Sequence, residues 1–299
     1  MTDASTAVGG RLADAGGLPT RIGVLGGGRM GAGIAHAFVL AGAQVVVVEV
    51  DEAAADRAAE RIAEALRHSV DRGATQRGLD ELEATVSTTT EADAFAGCGL
   101  VVEAVPEDPA LKLDAIARVE AAVDDDAVIA SNTSALSIDA LAGALRRPER
   151  FLGLHFFNPV PASRLVEIVA GGATAPAVLE AARGWVAAIG KTPISVRDAP
   201  GFASSRLGLA LGLEAIRMVE EGVASAADID AAMELGYRHP VGPLRTTDLV
   251  GLDVRLAIAE ELHERLGERF APPALLRRMV ADGRLGRKTG RGFYEWSDE

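Results

Sequence analysis

The chain has 299 residues, 48% of them hydrophobic and 24% charged, which is typical of a globular protein and favours two domains. Its 43 acidic and 30 basic residues give a net charge of −13, so most of its surface repels nucleic acid and anionic membranes. The one cysteine, Cys98, excludes an intramolecular disulfide and a cysteine-based metal site, and we expect a cytoplasmic protein without a bound metal.

Residues 1–19 contain glycines, small residues and two aspartates, Asp3 and Asp14. They lack the apolar centre of a signal peptide and are predicted to form a disordered tail. No apolar run approaches the ~20 residues that span a membrane, so we expect no membrane partner.

Strand-like and helix-like patterns alternate after this tail. Strands are predicted at residues 21–25, 44–50, 99–104 and 127–130, and helices at 30–41, 52–70 and 109–122. Strands that alternate with helices form a parallel sheet covered by helices on both faces. The predicted fold class is therefore α/β, with a Rossmann-type, doubly wound parallel sheet.

The pattern changes towards the end of the chain. Further strands are predicted at residues 151–157, 165–170 and 193–196, and a helix at 176–189. The first two of these strands finish the sheet, and antiparallel pairing is one option for them. From residue 202 onwards nearly everything has a helical period. We therefore expect a sheet domain over 20–198 and an all-helical domain over 199–299.

A glycine-rich turn joins the first predicted strand to the first helix. Gly26, Gly28 and Gly31 form the pattern G-x-G-x-x-G, which in this context is typical of dinucleotide binding. Gly26 allows the tight turn, Gly28 lets a pyrophosphate approach, and Gly31 lets the helix pack on the strand. The N–H groups at the helix start would hold the phosphates. A purely structural glycine turn is the alternative interpretation.

Glu49 closes the second predicted strand, eighteen residues after Gly31. An acidic side chain there accepts hydrogen bonds from the adenosine ribose and repels a 2′-phosphate. The next basic residue is Arg57. The sequence therefore predicts NAD rather than NADP, although a solvated acid at a strand end would give the same pattern.

His155 and Glu167 lie twelve residues apart on two predicted strands. If these strands are neighbours, the side chains can meet. A histidine suits the removal of a hydroxyl proton as hydride leaves the same carbon, and a carboxylate would fix its tautomer. The alternative is a core histidine packed among Phe156 and Phe157. The other histidines are expected to have no functional role.

A polar run, Ser131-Asn132-Thr133-Ser134, follows the fourth strand and precedes an apolar helix. It is either a turn with a helix N-cap or a source of a hydroxyl at the catalytic end of the sheet. The pattern alone does not separate these two interpretations.

Six motifs occur in a fixed order between residues 20 and 296. They are the glycine loop Gly-Gly-Gly-Arg-Met-Gly-Ala-Gly, Val101-Val-Glu-Ala-Val-Pro-Glu107, Ser131-Asn-Thr-Ser134, His155-Phe-Phe-Asn-Pro-Val-Pro161, Pro200-Gly-Phe202 and Lys288-Thr-Gly-Arg-Gly-Phe-Tyr294. In this order they resemble the short-chain L-3-hydroxyacyl-CoA dehydrogenase family, which includes bacterial 3-hydroxybutyryl-CoA dehydrogenases.

The resemblance implies an N-terminal NAD-binding domain and a C-terminal helical domain through which such enzymes form homodimers. It implies the reversible oxidation of an L-3-hydroxyacyl-CoA to the 3-oxoacyl-CoA, a reaction of fatty acid β-oxidation. An acyl-CoA is then the substrate and NAD the cofactor.

The resemblance also implies roles for individual residues. His155 matches the catalytic base, Glu167 its partner, and Ser134 a serine that contacts the reacting oxygen of the substrate. Cofactor positions are matched by Gly26, Gly28, Arg29, Met30, Gly31, Glu49, Glu107, Lys112, Ser134, Asn158 and Lys288. Arg72 roughly matches a basic position near the phosphates of CoA, and a solvated helix arginine is the alternative.

One residue departs from the family pattern. Ser205 stands where an active-site asparagine is expected after Pro-Gly-Phe. Serine offers a single hydroxyl where asparagine offers two donors and a carbonyl, so Ser205 is expected to assist substrate positioning in a modified way.

Two other functions stay open beside this one. A dehydrogenase of the same architecture could act on a 3-hydroxy acid without CoA, such as a sugar acid or carnitine. The second alternative is a nucleotide-binding protein that has lost its catalytic activity. The presence of His155, Glu167 and Ser134 argues against this alternative. A multifunctional β-oxidation subunit is disfavoured because 299 residues leave no room for a hydratase domain.

Overall fold

The structure is a computed structural model that describes residues 17–296. These residues divide between two compact units, one that ends at Asp198 and one that begins at Ala199. Most of the predicted tail, residues 1–16, lies outside the described residues, and residues 17–19 precede the first strand without regular structure. Among the described residues, no helix is both long and apolar enough to cross a membrane.

The first unit is built on one mixed sheet. Its strands are β1 Arg21–Leu25, β2 Gln44–Val48, β3 Val86–Thr89, β4 Leu100–Glu103, β5 Val128–Ser131, β6 Phe151–Phe156, β7 Leu165–Ala170 and β8 Thr192–Arg197. They lie in the order β3-β2-β1-β4-β5-β6-β7-β8. Neighbouring strands are parallel except β6 and β7, which are antiparallel. The predicted α/β fold with a helical second domain is confirmed.

Helices connect these strands. They are α1 Arg29–Leu40, α2 Glu52–Asp71, α3 Leu79–Glu83, α4 Pro109–Ala122, α5 Ile138–Ala142 and α6 Pro176–Ala188, with short 3₁₀ turns at Ala92–Phe95 and Pro148–Arg150. Local sequence signals set the helix starts. The Asp51 side chain accepts a hydrogen bond from the amide of Ala54, and Asp108 does the same for α4, where Pro109 occupies the first turn.

Strand β3 is absent from the predicted elements, and its exposure explains why. It lies at the edge of the sheet, pairs only with β2, and Ser87 is exposed while its neighbours are half-buried. An edge strand needs no continuous apolar run, so the sequence Val-Ser-Thr-Thr carries little strand signal.

The core of the first unit lies between the sheet and its helices. The central strands are fully buried, as parallel strands covered on both faces must be. Helix α1 contributes Ile34 and Phe38, and the ring of Phe38 meets Phe156 of β6 edge-on at 6.5 Å. This packing fixes α1 against the strand that carries His155.

The second unit is helical over the residues that the structure describes. Its helices are α7 Ser204–Glu220, α8 Ala226–Tyr237, α9 Pro243–Val250, α10 Leu252–Leu266 and α11 Ala274–Ala281, with 3₁₀ turns at Glu268–Phe270 and Arg287–Thr289. Its core is formed by apolar side chains from each helix, among them Leu213, Ile229, Leu244, Leu262 and Leu276.

Two buried carboxylates organise this helical unit. Asp230 of α8 accepts the amides of Leu244 and Arg245 at 2.8 and 2.9 Å, and so caps the start of α9. Asp248 of α9 accepts hydrogen bonds, each of 2.9 Å, from two backbone amides and one indole of the Phe293–Trp296 segment. The segment after the last helix is therefore tied to the middle of the unit.

Candidate active site

The glycine loop has the geometry that the sequence predicts for a dinucleotide site. Gly26 adopts φ +92°, and its amide donates to the carbonyl of Val48 at 2.9 Å. A side chain on Gly31 would overlap the carbonyl oxygen of Gly26, so only glycine lets α1 start this close to β1. No heavy atom lies within 4 Å of the place where a side chain on Gly28 would project. The loop therefore leaves room for a ligand at Gly28.

Glu49 follows β2 and is held against this loop. Its Oε1 atom accepts the amide of Gly27 at 2.6 Å, and its Oε2 atom accepts the amide of Val50 at 3.1 Å. The predicted ribose-binding acid is thus fixed beside the glycine turn.

A cavity of about 890 Å³ lies within the first unit, along the carboxyl ends of the parallel strands. Of the predicted cofactor residues, its walls include Gly26, Gly28, Arg29, Met30, Glu49, Glu107, Ser134 and Asn158. His155 and Phe157 complete one wall. Its volume is within the range of small-molecule sites, and its position is where open α/β sheets bind ligands.

His155 and Glu167 are brought together by the antiparallel strands. Their Cα atoms are register partners across β6 and β7, and Nδ1 of His155 lies 2.7 Å from Oε2 of Glu167. Glu167 is fully buried and His155 is 6% exposed. The ring of Phe157 lies 4.4 Å from that of His155. A carboxylate at Nδ1 sets the tautomer of the imidazole and would stabilise its protonated form.

Glu107 organises the turn that carries Ser134. Its Oε1 atom accepts the Thr133 hydroxyl at 2.5 Å, the Ser134 amide at 2.8 Å and the Ala135 amide at 3.2 Å. The Ser134 hydroxyl lies 3.3 Å from the same oxygen. The polar run is therefore both a tight turn and part of the cavity wall, so the two interpretations of this run are compatible.

Burial would raise the pKa of Glu107. The Lys112 ammonium, the Thr133 hydroxyl and the Ser134 amide outweigh it and lower the pKa below its ordinary value. The carboxylate is therefore charged at neutral pH, where it can only accept hydrogen bonds.

Lys112 lies behind the cavity wall. It is fully buried, and its Nζ atom lies 2.7 Å from Oε1 of Glu103, 3.1 Å from the Val105 carbonyl and 3.3 Å from Oε2 of Glu107. These three oxygen atoms can accept the three hydrogen bonds that the ammonium group donates. Its predicted role in cofactor binding stays a prediction, and its observed contacts are with the acids that shape the wall.

Sequence reasoning missed two residues of this site. Glu103 ends β4, is fully buried, and accepts the Ser131 hydroxyl at 2.6 Å in addition to Lys112. Asn132 lines the cavity and accepts the amide of Phe156 at 2.9 Å, which ties the turn to β6. One signal was available for Glu103, because a lone charge that ends an apolar strand needs a buried partner.

Three predicted residues lie elsewhere in the fold. Arg72 borders a second cavity of about 470 Å³ at the ends of α1, α2 and α6 and does not line the first cavity. In the helical unit, Ser205 lies in the first turn of α7, and Lys288 pairs with Asp253 at 2.6 Å. The roles of these three residues remain predictions.

A glycine loop with an acid at the second strand, on a parallel sheet, is the arrangement of a dinucleotide-binding domain. The same cavity holds a histidine paired with a buried carboxylate, which suits proton transfer to or from a substrate oxygen. Fold and site together define a dinucleotide-dependent dehydrogenase.

Comparison with known families identifies the dehydrogenase family to which the chain belongs. Residues 21–199 match the family model of the 3-hydroxyacyl-CoA dehydrogenase NAD-binding domain. Residues 201–296 match the model of the 3-hydroxyacyl-CoA dehydrogenase C-terminal domain. The chain belongs to the 3-hydroxyacyl-CoA dehydrogenase family, as its motifs predict, and NAD is the cofactor of this family.

Individual relatives agree with this assignment. The chain is 41% identical over 277 residues to a probable 3-hydroxybutyryl-CoA dehydrogenase of Deinococcus radiodurans, covering 92% of this chain and 100% of that protein. It is 39% identical over 282 residues to the human mitochondrial hydroxyacyl-coenzyme A dehydrogenase, covering 91% and 90%. Among solved structures, (S)-3-hydroxybutyryl-CoA dehydrogenase from Ralstonia eutropha superposes with a TM-score of 0.89 at 37% identity, covering 93% and 99%.

Proposed function

We propose that the protein catalyses the reversible, NAD-dependent oxidation of a short-chain L-3-hydroxyacyl-CoA, such as 3-hydroxybutyryl-CoA, to the 3-oxoacyl-CoA. The observation that carries this proposal is the His155–Glu167 pair in the wall of the cavity that also holds the glycine loop and Glu49. The preference for a short acyl chain rests on the names of the relatives in Deinococcus and Ralstonia.

His155 acts as the general base in this proposal. Because Nδ1 faces Glu167, the C3 hydroxyl proton is taken up at Nε2. The carboxylate then stabilises the imidazolium that forms, and in the reverse direction the same nitrogen returns the proton. Glu167 contacts neither substrate nor cofactor in this scheme and is a positioning residue.

Ser134 orients the reacting oxygen. Its backbone amide is held by Glu107, and this fixes the place of its hydroxyl in the cavity wall. A hydrogen bond from this hydroxyl would stabilise the oxygen at C3 as the carbonyl forms. Asn158, in the wall near His155, is a further candidate for contact with the cofactor.

The residues around the glycine loop fit NAD. The open space at Gly28 admits a pyrophosphate, and α1 begins with no side-chain cap on its first amides. Glu49 is placed to accept the ribose hydroxyls. When bound, NAD supplies the acceptor for the hydride that leaves C3, while the protein binds, orients and exchanges the proton.

Arg72 is proposed to bind a phosphate of CoA. The second cavity, at the ends of α1, α2 and α6, also has His68 and Lys191 in its wall. The ammonium of Lys191 donates to the carbonyls of Val160 and Ser163, each at 2.6 Å, so Arg72 and His68 are the groups that can turn to an anion. The test is Arg72→Ala, which should raise the KM for acyl-CoA and leave the KM for NADH unchanged, with Arg67→Ala as control.

Ser205 is proposed to assist substrate positioning from the first turn of α7. Its hydroxyl can donate one hydrogen bond and accept others. Ser205→Ala should raise the KM for the acyl-CoA or lower kcat, and unchanged values for both would remove Ser205 from the site. Ser205→Asn, which restores the side chain expected in the family, is the companion variant.

A homodimer formed through the helical unit is also proposed. Among the described residues, α7–α10 carry most of the exposed large apolar side chains, including Leu207 at 66% and Leu235 at 84% exposure. Exposed apolar surface of this kind is typical of an interface. Sedimentation at micromolar concentration should give twice the mass of the chain, and a monomer would contradict the proposal. A cytoplasmic location is proposed as well, in keeping with the single buried cysteine, Cys98.

The experiment that tests the reaction is NADH consumption with acetoacetyl-CoA beside free acetoacetate. Fast turnover that requires the CoA thioester is the expected result. Turnover of a free 3-oxo acid that free CoA does not inhibit would favour a substrate without CoA. Binding of NADH without turnover of either compound would favour a silent site, and Ser205→Asn would then be assayed first.

A further inference from the structure

Two arginines of α2 line the cavity on the same side as Glu49. Arg57 and Arg61 are four residues apart, and both side chains are exposed. Side chains at this spacing lie on the same face of a helix, so their two positive charges repel each other. Within residues 17–296, neither guanidinium forms a salt bridge. An anion that bound to both would relieve this repulsion.

Arg61 and Glu49 meet at one residue of the glycine loop. Glu49 accepts the Gly27 amide at 2.6 Å, and the Arg61 guanidinium donates to the Gly27 carbonyl at 3.4 Å. A side chain on Gly27 would overlap the methyl group of Ala58, so α2 is packed directly on the loop. When the bond lengths between the amide nitrogen and the carbonyl oxygen of Gly27 are added to these two distances, the carboxylate of Glu49 and the guanidinium of Arg61 lie within about 10 Å of each other.

These neighbours have opposite preferences for a cofactor. An acid at the end of the second strand binds the ribose hydroxyls of NAD and repels a 2′-phosphate, whereas an arginine nearby accommodates that phosphate. Guanidinium groups bind phosphate oxygens through paired, charge-assisted hydrogen bonds. The site thus holds the residue that rejects NADP(H) together with two residues suited to bind it.

We propose that Arg57 and Arg61 form a subsite for the 2′-phosphate of NADP(H), and that the charge of Glu49 alone keeps this subsite from being used efficiently. NADPH is then a slow second cofactor for the reduction of the 3-oxoacyl-CoA. In each turnover it gives one hydride to C3, the protein supplies one proton, and NADP⁺ is released. This inference rests on the proposed function for its reaction, and its binding step is independent of the acyl substrate.

The binding test compares 2′,5′-ADP, which is adenosine 2′,5′-bisphosphate, with 5′-AMP by calorimetry, because the two ligands differ only in the 2′-phosphate. Glu49→Gln should raise the affinity for 2′,5′-ADP at least tenfold and lower the affinity for 5′-AMP. Adding Arg61→Ala or Arg57→Ala to Glu49→Gln should abolish the gain. Arg67→Ala is the matched control, because Arg67 is an exposed arginine of the same helix that does not line the cavity.

The kinetic test uses the same variants with acetoacetyl-CoA. Glu49→Gln should raise kcat/KM for NADPH at least tenfold over the unaltered protein, and the arginine substitutions should reverse this. If Arg57→Ala and Arg61→Ala weaken the binding of 5′-AMP and 2′,5′-ADP equally, the arginines contact the shared 5′-phosphate or adenosine, and the proposal is wrong. No gain for 2′,5′-ADP in Glu49→Gln would overturn it as well.

The two proposals fail in different ways. If the protein does not reduce acetoacetyl-CoA with NADH but calorimetry gives the expected pattern, the proposed substrate is wrong and the proposal of a phosphate subsite stands. Normal NADH turnover without the calorimetric pattern would overturn the subsite alone.

Discussion

Nδ1 of His155 lies 2.7 Å from Oε2 of Glu167, directly across the pair of antiparallel strands in the sheet. Backbone hydrogen bonds of the two strands fix the Cα atoms, so the side chains meet without a flexible loop between them. Because Glu167 is fully buried, water does not compete for its carboxylate. Both features favour a histidine that is held in one orientation before the substrate arrives.

Removal of the base is expected to affect catalysis far more than cofactor binding. We expect His155→Ala to lower kcat by about 10²–10⁴-fold, the usual contribution of a general base, with the Kd for NADH nearly unchanged. Steady-state kinetics and fluorescence titration measure the two quantities. His239→Ala, which alters a half-buried histidine of the helical unit that lines neither cavity, is the control. A loss of only a few fold in His155→Ala would remove this residue from the base role.

The buried ion pair behind the cavity is expected to matter for stability. We expect Lys112→Met to lower the free energy of unfolding by about 3–5 kcal/mol, because the carboxyl groups of Glu103 and Glu107 would lose the ammonium that compensates them. Urea unfolding measures this loss.

The control for this variant is an ion pair at the surface. Arg291 lies 2.8 Å from Glu295, and the two side chains are 60% and 75% exposed. Arg291→Met should cost about 1 kcal/mol or less, since solvent screens such pairs. Equal losses in Arg291→Met and Lys112→Met would mean that burial of the ion pair does not determine its contribution.

Stability is expected to fall below about pH 6.5 through His36. Burial lowers the pKa of His36. A hydrogen bond with the Ala65 backbone raises this pKa, the positive charge of Lys191 lowers it, and the net effect is a lowered pKa. The unfolded chain, whose histidine titrates near pH ~6.5, therefore takes up the proton more readily than the native state. The contribution of this group to stability is present above that pH and is lost as the pH falls through the lowered pKa.

The measurement is the free energy of unfolding of His36→Gln between pH 7.5 and 5, in steps of about half a unit. We expect a shallower decline than in the unaltered protein. His68→Gln, at an exposed position on α2, should retain the original slope. If His36→Gln also retains it, the acid sensitivity arises from other groups.

Loss of the Asp248 charge is expected to loosen the helical unit. In Asp248→Asn, a neutral side-chain amide would replace the carboxylate that now accepts hydrogen bonds from the backbone N–H groups of Phe293 and Tyr294. A hydrogen bond to a charged group contributes about 1.5–3 kcal/mol to stability. We therefore expect a fall of at least about 1.5 kcal/mol in the free energy of unfolding, with faster amide exchange in Phe293 and Tyr294. Asp282→Asn, at an exposed aspartate, is the control. Unchanged exchange in Asp248→Asn would contradict the assigned role of this carboxylate.

Much of the fold follows from the sequence because strands β1, β2, β4, β5 and β6 are apolar runs bounded by turns. Strand β3 was missed because a partly exposed edge strand carries no such run. The antiparallel direction of β6 and β7 was only one option, since an apolar pattern does not encode strand direction.

The candidate site was predictable where a motif encodes geometry. The glycine loop and Glu49 follow from local spacing, and His155 and Glu167 from their places on two neighbouring strands. Glu103 and Asn132 were missed because their contacts join residues 28 and 24 positions apart, respectively. Such distances close only when the sheet has formed, so a local pattern can mark the lone charge of Glu103 but cannot identify the contacts that either residue makes.

The ties of Asp248 to the Phe293–Trp296 segment have a consequence for the order in which the protein is built. During synthesis the carboxylate emerges about 45 residues before its partners, and helix α9 cannot bury it without them. Domains that fold on the ribosome generally do so from the N-terminal side. The sheet unit can therefore mature while translation continues, whereas the helical unit reaches its native packing only after residue 296 has been released. A ribosome stalled shortly before that point would leave a finished cofactor domain attached to an unfinished helical one.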